Sequence, residues 1–391
     1  MIKAVLLDMD NTILANPDQV FAREFKQLAE SFFMDLWGIS DISTLIHQGM
    51  RAMYDQPHYD RTNMEILIDT LQQNTQLPIE AVEDGLNVFY EQAYPALKPC
   101  VSPIPGAAEL ISYLRDHDYA VVIATNPLYP EWGVIQRLQW AGLPDSDYAF
   151  ITHADNMHFI KPDPSYYAEI IARIGIEPDE AVIIGDGIEN DICAAKVIGI
   201  HTYYIGEDIH HPDIEHKGTI QDFHKAIQRF EQRHPYVLQP QMIEPQYIGN
   251  LGALFGLIST IKPNFWNQHP DPKEWSPIQI VCHLLESEKQ IQRPRLERIL
   301  TENNPFITAP KAPPGPDQYL CGRDGKTYAY EFMTERLKTI DMIQHITQED
   351  WQRPARHSIF GNTTFLEMAH FTAQHDRLHI EQLCQTLGRC E

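Results

Sequence analysis

The sequence predicts an α/β architecture followed by an all-α one: a Rossmann-like parallel sheet with an inserted helical cap, then a C-terminal four-helix bundle. Three observations carry this. Short apolar runs at 2–7, 119–124, 181–185 and 201–205 are separated, beyond Pro105-Gly106, by stretches of helical periodicity, the alternation of a βαβ sheet. Residues 15–98 interrupt that alternation directly after the first run and read as helix. From residue 246 onward four helical stretches follow one another without a convincing strand.

Composition agrees with two units. The chain has 391 residues, room for two or three domains, and 43% apolar residues, enough for a sizeable core. Its formal net charge is −24, which argues against a nucleic-acid partner. Residues 1–244 hold 15 basic against 37 acidic residues, and residues 245–391 hold 15 against 17. The acidic half needs a metal or local cations to hold a phosphate. No signal peptide precedes Asp8, and the longest apolar stretch, near 251–261, is too short to span a bilayer. No membrane partner is expected. Six cysteines without a CxxC pair read as reduced thiols of a cytoplasmic protein.

In chain order, Ile2 to Leu7 stops at Asp8 and suits a buried parallel strand. Over 18–37, Phe21, Phe25, Leu28, Phe32 and Leu36 recur at helical spacing behind Asp18 as N-cap. Helix continues to about Tyr94, interrupted at Pro57 and Pro78, and a proline-rich hinge spans Pro95 to Pro105. Then come helix 107–116, strand 119–124, helix 130–141, a short strand near 148–151, helix 164–174, strand 181–185, helix 190–198 and strand 201–205. Helix 219–232 closes this part. The expected organisation is an α/β core at 1–14 and 99–233, a cap at 15–98, a linker at 234–245 and a bundle at 246–391. The bundle helices fall at about 246–261, 277–302, 327–346 and 364–387, with 303–326 a long Pro- and Gly-rich surface loop.

Four groups of residues lie at predicted carboxyl ends of strands, where sites of such sheets form. Asp8 and Asp10 can divide labour, one attacking and one moving protons. A polar turn is the plain alternative for this pair alone. A calcium loop is excluded, because its twelfth position needs a glutamate and holds Gln19. Thr125 and Asn126 can hold phosphoryl oxygens, and Lys161 supplies a cation. Asp186 and Asp191 are spaced to face one metal. Arg23, Lys26, Arg51 and Arg61 of the cap could meet an anionic substrate, although solvated helix faces are the plainer reading.

With these residues in order, residues 1 to about 232 resemble the haloacid-dehalogenase-like (HAD) hydrolase superfamily, and the insertion resembles its C1-type helical cap. The resemblance implies that Asp8 is a nucleophile forming an aspartyl-phosphate. Asp10 then protonates the leaving oxygen and deprotonates the attacking water, while Thr125 and Lys161 bind the phosphoryl group. It also implies Mg²⁺ on Asp8, the Asp10 backbone carbonyl and Asp186, with Asp191 acting through a metal-bound water. An acid at Asp10 favours phosphoryl transfer over dehalogenation, since halide leaves without a proton. A small phosphorylated metabolite is the expected substrate.

In the second half, His375 and His379 are four apart on one predicted helix, so their side chains share a face. Met368, Phe371, His375, Leu378 and Gln382 form a three–four stripe expected to be buried. Asp376 replaces the glutamate of HExxH, which excludes that metalloprotease motif. His283, behind Ser276-Pro277 as a helix start, offers a third imidazole. Three such groups suit Zn²⁺, Ni²⁺ or Fe²⁺; two ordinary core histidines and a chance third are the alternative. Residues 245–391 resemble the DinB-like (DinB/YfiT) bundles, whose three metal positions fall on His283, His375 and His379. That resemblance implies a metal-dependent thiol transfer or hydrolysis, or a dimerisation or ligand-sensing module. Gly252 and Gly256 would permit close helix contact in a homodimer. Cys282 and Cys384, near these histidines, are expected to be buried structural thiols.

Overall fold

A computed structural model describes residues 1–16, 18–55, 58–206, 210–231, 237–319 and 321–390. The chain divides into two compact units: residues 1–167 with 178–235, and residues 168–177 with 236–391.

The first unit begins with β1 (Ala4–Leu7), all four residues buried, and the short β2 (Leu14–Ala15). Four helices follow: α1 (Asp18–Trp37), α2 (Ile42–Asp55), α3 (Asn63–Thr75) and α4 (Ile79–Val88). The start of α1, where Asp18 is expected as N-cap, adjoins residues outside the described ones. Thr62 caps α3 with a reciprocal Thr62–Glu65 capping box. The proline-rich hinge is a 3₁₀ turn over Tyr94–Cys100 and β3 (Ser102–Pro103), which pairs with β2.

Alternation then runs as the sequence requires: α5 (Ala107–Asp116), β4 (Ala120–Ile123), α6 (Glu131–Trp140), β5 (Phe150–Ile151), α7 (Pro164–Ile174) and β6 (Ala181–Gly185). A π-turn over Ile188–Cys193 leads into α8 (Ala194–Val197), then β7 (His201–Ile205), β8 (Lys217–Gly218) and α9 (Phe223–Glu231). The sheet order is β5-β4-β1-β6-β7-β8, all neighbours parallel. β1 is central, with Ala4 opposite both Ala120 and Ala181. Strands covered on both faces read as unbroken apolar runs, and that made them legible. The expected break at Pro57, the end of helix 219–232 and the start of the 234–245 linker lie outside the described residues.

The second unit contains α10 (Ile243–Ser259), α11 (Pro277–Ser287), α12 (Arg293–Thr301), α13 (Gly325–Gln344) and α14 (Phe365–Cys390). A π-turn over Glu288–Gln292 joins α11 to α12, so the two form the single predicted 277–302 stretch. The expectation of no strand is corrected. β9 (Phe306–Ile307), β10 (Pro354–His357) and β11 (Gly361–Thr364) form a three-stranded sheet. Their inward residues, Ile307, Ala355, His357 and Thr363, alternate with exposed ones, but the strands are short and polar, which hides the period. The 303–326 segment is likewise not free loop. It contributes β9, and Tyr319 is buried, with its carbonyl accepting from the Gln279 side-chain amide at 2.8 Å.

One guanidinium ties the bundle together. Arg336 of α13, 1% exposed, reaches Glu288 Oε2 at 2.9 Å and Asp376 Oδ2 of α14 at 2.8 Å. It lies 4.5 Å over the ring of Tyr247 on α10. Gly252 and Gly256 are buried within the unit, and a Cβ at Gly256 would strike Arg173. They offer no open face to a second chain.

Candidate functional site

β1 ends at Asp8, and a tight turn follows in which the Thr12, Ile13 and Leu14 amides all donate to the Met9 carbonyl. Asn11 sits at φ 56°, a left-handed position that asparagine tolerates. The turn brings Asp10 back over the end of the sheet. β4 delivers Thr125, 2% exposed, whose carbonyl accepts from the Thr152 and Tyr166 hydroxyls at 2.7 and 2.8 Å. β6 delivers Asp186. Gly185, just before it, has no room for a side chain, since a Cβ would fall on the Asp191 carboxylate.

These groups meet. Carboxylate oxygens of Asp8, Asp186 and Asp191 lie within 4.8 Å of one another. Lys161 Nζ, 1% exposed as a residue, donates to Asp8 Oδ1 and to Asp191 Oδ1, each at 2.6 Å. Asp191 also accepts from Tyr167 Oη at 3.1 Å and from the Gly187 amide at 2.9 Å. Asn126 Oδ1 accepts from the Lys161 amide at 3.3 Å, so it anchors the loop that presents the lysine.

Charge here is out of balance. Burial pushes the Asp8 carboxyl well up, Lys161 opposes, and Asp191 and Asp10 push further. Burial and Asp191 drive Asp186 up to about 6. Lys161 is pulled down by burial, but Asp191 and Asp8 outweigh it and hold the ammonium charged. Raised acids around one cation mark a site short of positive charge. An oxygen donor set of this kind fits a hard divalent cation.

Arg137, which the sequence reading passed over, is the second cation. It is fully buried on α6, donates to Asp10 Oδ1, and lies 5.3 and 5.2 Å from the rings of Phe21 and Tyr129. Asn16 Nδ2 donates to the same oxygen at 2.7 Å. The signal was an arginine set in the apolar stripe of Val134 and Leu138, both buried. The four cations expected to meet an anionic substrate are instead locally paired: Arg23 with Glu24, Lys26 with Glu30, Arg51 with Asp55 and Arg61 with Asp69.

In the second unit the rings of His283, His375 and His379 converge, with centroids 4.5 to 5.4 Å apart. One nitrogen from each lies within 4.8 Å of the others. Burial and the neighbouring imidazoles hold His283 down to about 3 and His379 to about 4, so both are neutral near pH 7, the form that ligates metal. His379 Nδ1 faces Gln382 Oε1 at 2.8 Å, which leaves its Nε2 outside that contact. Trp275 packs 4.9 Å from His283 and 6.0 Å from His379.

Two expectations about α14 are corrected. Leu378 is 64% exposed, so the 368–371–375–378–382 stripe is not the buried one. The core face instead uses Phe365, Ala369, Thr372, Ala373, Asp376, Arg377, Ile380 and Leu383, all buried. Polar Thr372, Asp376 and Arg377 disguise it, because hydropathy cannot see their partners. Cys282 is buried as expected, but Cys384 is exposed. Cys100, Cys193, Cys282, Cys321 and Cys384 are free thiols.

The first unit is thus a Rossmann-like α/β domain whose acids occupy the crevice at the carboxyl edge of a parallel sheet, beside the central strand. The chain belongs to the haloacid dehalogenase-like hydrolase family, which residues 2–199 match, and residues 246–383 match the DinB superfamily. Phosphoglycolate phosphatase 1 from Pseudomonas aeruginosa is 24% identical over 205 residues, covering 51% of this chain and 67% of that protein. The phosphorylated carbohydrates phosphatase of Thermotoga maritima is 22% identical over 206 residues, covering 52% and 84%. Among solved structures, a HAD phosphatase from Thermococcus onnurineus is similar at 23% identity, covering 58% of this chain and 98% of its own, with a TM-score of 0.39. No helix of the described residues is long and apolar enough to cross a membrane.

Proposed function

We propose that the first unit is a Mg²⁺-dependent phosphatase acting on a small phosphate monoester, with residues 15–98 as its substrate-covering cap. The observation that carries this is the group of Asp8, Asp186 and Asp191 around a buried lysine at the sheet's carboxyl edge. Asp8, Asp186 and the Asp10 backbone carbonyl would hold the metal. Magnesium, when bound, neutralises charge on the phosphoryl oxygens. Asp8 attacks phosphorus as the ester P–O bond breaks, and the leaving oxygen takes its proton from Asp10. Water then attacks the aspartyl-phosphate, gives its proton to Asp10, and releases inorganic phosphate with the Asp8 carboxylate restored. Lys161 and Thr125, aided by Asn126, hold the phosphoryl oxygens and offset their charge. Asp191, hydrogen-bonded to Lys161, Tyr167 and the Gly187 amide, positions the lysine. The metabolites named for the relatives are substrates of the expected size and charge.

The test is hydrolysis of p-nitrophenyl phosphate with Mg²⁺ by wild type and Asp8→Asn. Wild type should turn over and Asp8→Asn should fall to background while keeping its fold. Activity retained in Asp8→Asn overturns the assignment.

We further propose that His283, His375 and His379 hold a transition metal, Zn²⁺, Ni²⁺ or Fe²⁺. Three converging imidazoles beside an open cavity favour a working centre, for thiol transfer or hydrolysis, over a purely structural bundle. Elemental analysis should find stoichiometric metal in wild type and none in His283→Ala.

A further inference from the structure

Beside the three histidines lies a cavity of about 420 Å³ within the second unit. Its lining also holds two poorly satisfied donors, Arg295 and His357. Arg295 on α12 is 7% exposed, and its single side-chain hydrogen bond among the described residues is a 3.5 Å contact to the Thr308 carbonyl. No described carboxylate lies within ion-pair distance of it. The unit's other deeply buried arginines are paired: Arg336 with Glu288 and Asp376, and Arg377 with Glu177. Burial draws the Arg295 guanidinium down with no acid opposing it.

His357, 4% exposed, supplies the second donor. Its Nδ1 accepts from the Ile359 and Phe360 amides at 3.2 and 3.4 Å, which places the ring proton on Nε2. That Nε2 is buried and has no hydrogen-bond partner among the described residues. Arg295 also bears on this ring, since its charge helps to hold the imidazole neutral. A buried guanidinium without a counter-charge and an unpaired N–H are costly unless an acceptor arrives. A carboxylate is the planar acceptor that a guanidinium fork matches.

The rest of the lining describes the ligand's body. Ile291, Phe360 and Phe371 give apolar walls. Glu286 also faces the cavity, its Oε2 accepting from Tyr319 Oη at 2.7 Å. A fixed negative charge there selects a monoanion over a phosphate dianion.

We propose that this cavity binds a small carboxylic acid with an apolar body, its carboxylate on Arg295 and the His357 Nε2–H and its other end toward the three imidazoles. The carboxylate site stands without a metal; the direction of the ligand's far end rests on the tri-histidine reading.

The experiment is calorimetric titration of the full chain, stripped with chelator and reloaded with Zn²⁺. The probes are acetate, hexanoate, phenylacetate, neutral phenylacetamide and inorganic phosphate. Wild type should bind hexanoate or phenylacetate saturably in both forms, with phenylacetamide and phosphate at least about ten-fold weaker. Arg295→Gln should lose about ten-fold in carboxylate affinity, and Arg295→Lys should recover part of it. The phenylacetate–phenylacetamide comparison is made on wild type, so it stands even if Arg295→Gln fails to fold. No saturable binding by any acid, equal binding of the amide, tighter binding of phosphate, or unchanged affinity in a folded Arg295→Gln overturns the proposal. Zn²⁺ uptake without carboxylate binding sinks this inference alone, and carboxylate binding without Zn²⁺ uptake sinks only the metal reading.

Discussion

Replacing Arg336 by methionine strands two acids in the second unit. Glu288 and Asp376 are 0% and 2% exposed, and among the described residues Arg336 is the one cation in ion-pair contact with both. Burial already pushes the Glu288 carboxyl up, with Arg336 and the Thr339 hydroxyl holding it back. Removing one partner of a buried pair costs about 3–5 kcal/mol, and here two carboxylates lose their partner together. The 4.5 Å contact with the Tyr247 ring goes too. At about 2–4 °C per kcal/mol for a unit of this size, the thermal midpoint should fall by about 6–20 °C. Thermal unfolding should be followed with hydrogen exchange resolved over α13 and α14, which isolates this unit's transition. The triple variant Arg336→Met, Glu288→Leu, Asp376→Leu removes the charges together and should regain most of the loss. A single variant melting within about 3 °C of wild type, or a triple no better than the single, refutes the reasoning.

Two further outcomes follow from the same structure. Arg137→Met should lower kcat on an aryl phosphate by about 10–100-fold with the Mg²⁺ requirement unchanged, because Asp10 loses the donor that fixes its carboxylate; Arg137→Lys should restore part, and steady-state kinetics over a Mg²⁺ series check both. The metal-free bundle should weaken with acid. His283 and His379 titrate near 3 and 4 when folded and near 6.5 when unfolded, so between pH 6.5 and 4 the unfolded chain takes up protons that the folded one refuses. The urea midpoint of the chelator-stripped chain should drop from pH 7 to pH 5, and the drop should shrink in a His283→Phe, His379→Phe double variant; an equal drop in both contradicts the assignment.

Local chemistry carried much of this protein in plain view. Strands buried on both faces must be apolar throughout, so β1, β4, β6 and β7 stood out, and acids placed just past β1 and β6 had to meet wherever a parallel sheet gathers its carboxyl ends. The four-residue spacing of His375 and His379 fixed a shared helix face before any fold was known. Tertiary structure decided what depends on partners distant in sequence. Arg137 lies 127 residues from Asp10, and Arg336 lies 40 from Asp376, so neither pair leaves a periodic trace. The buried face of α14 includes polar residues with partners elsewhere in the chain: Asp376 accepts from Arg336, Thr372 donates to Gln292, and Arg377 donates to Gln246 and Glu177. Hydropathy scores a residue by its own transfer to water, whereas burial of Thr372, Asp376 and Arg377 depends on what each one meets. The pattern could therefore place the helix and not its rotation, and it could find the histidines but not the arginine without a counter-charge that lines the same cavity.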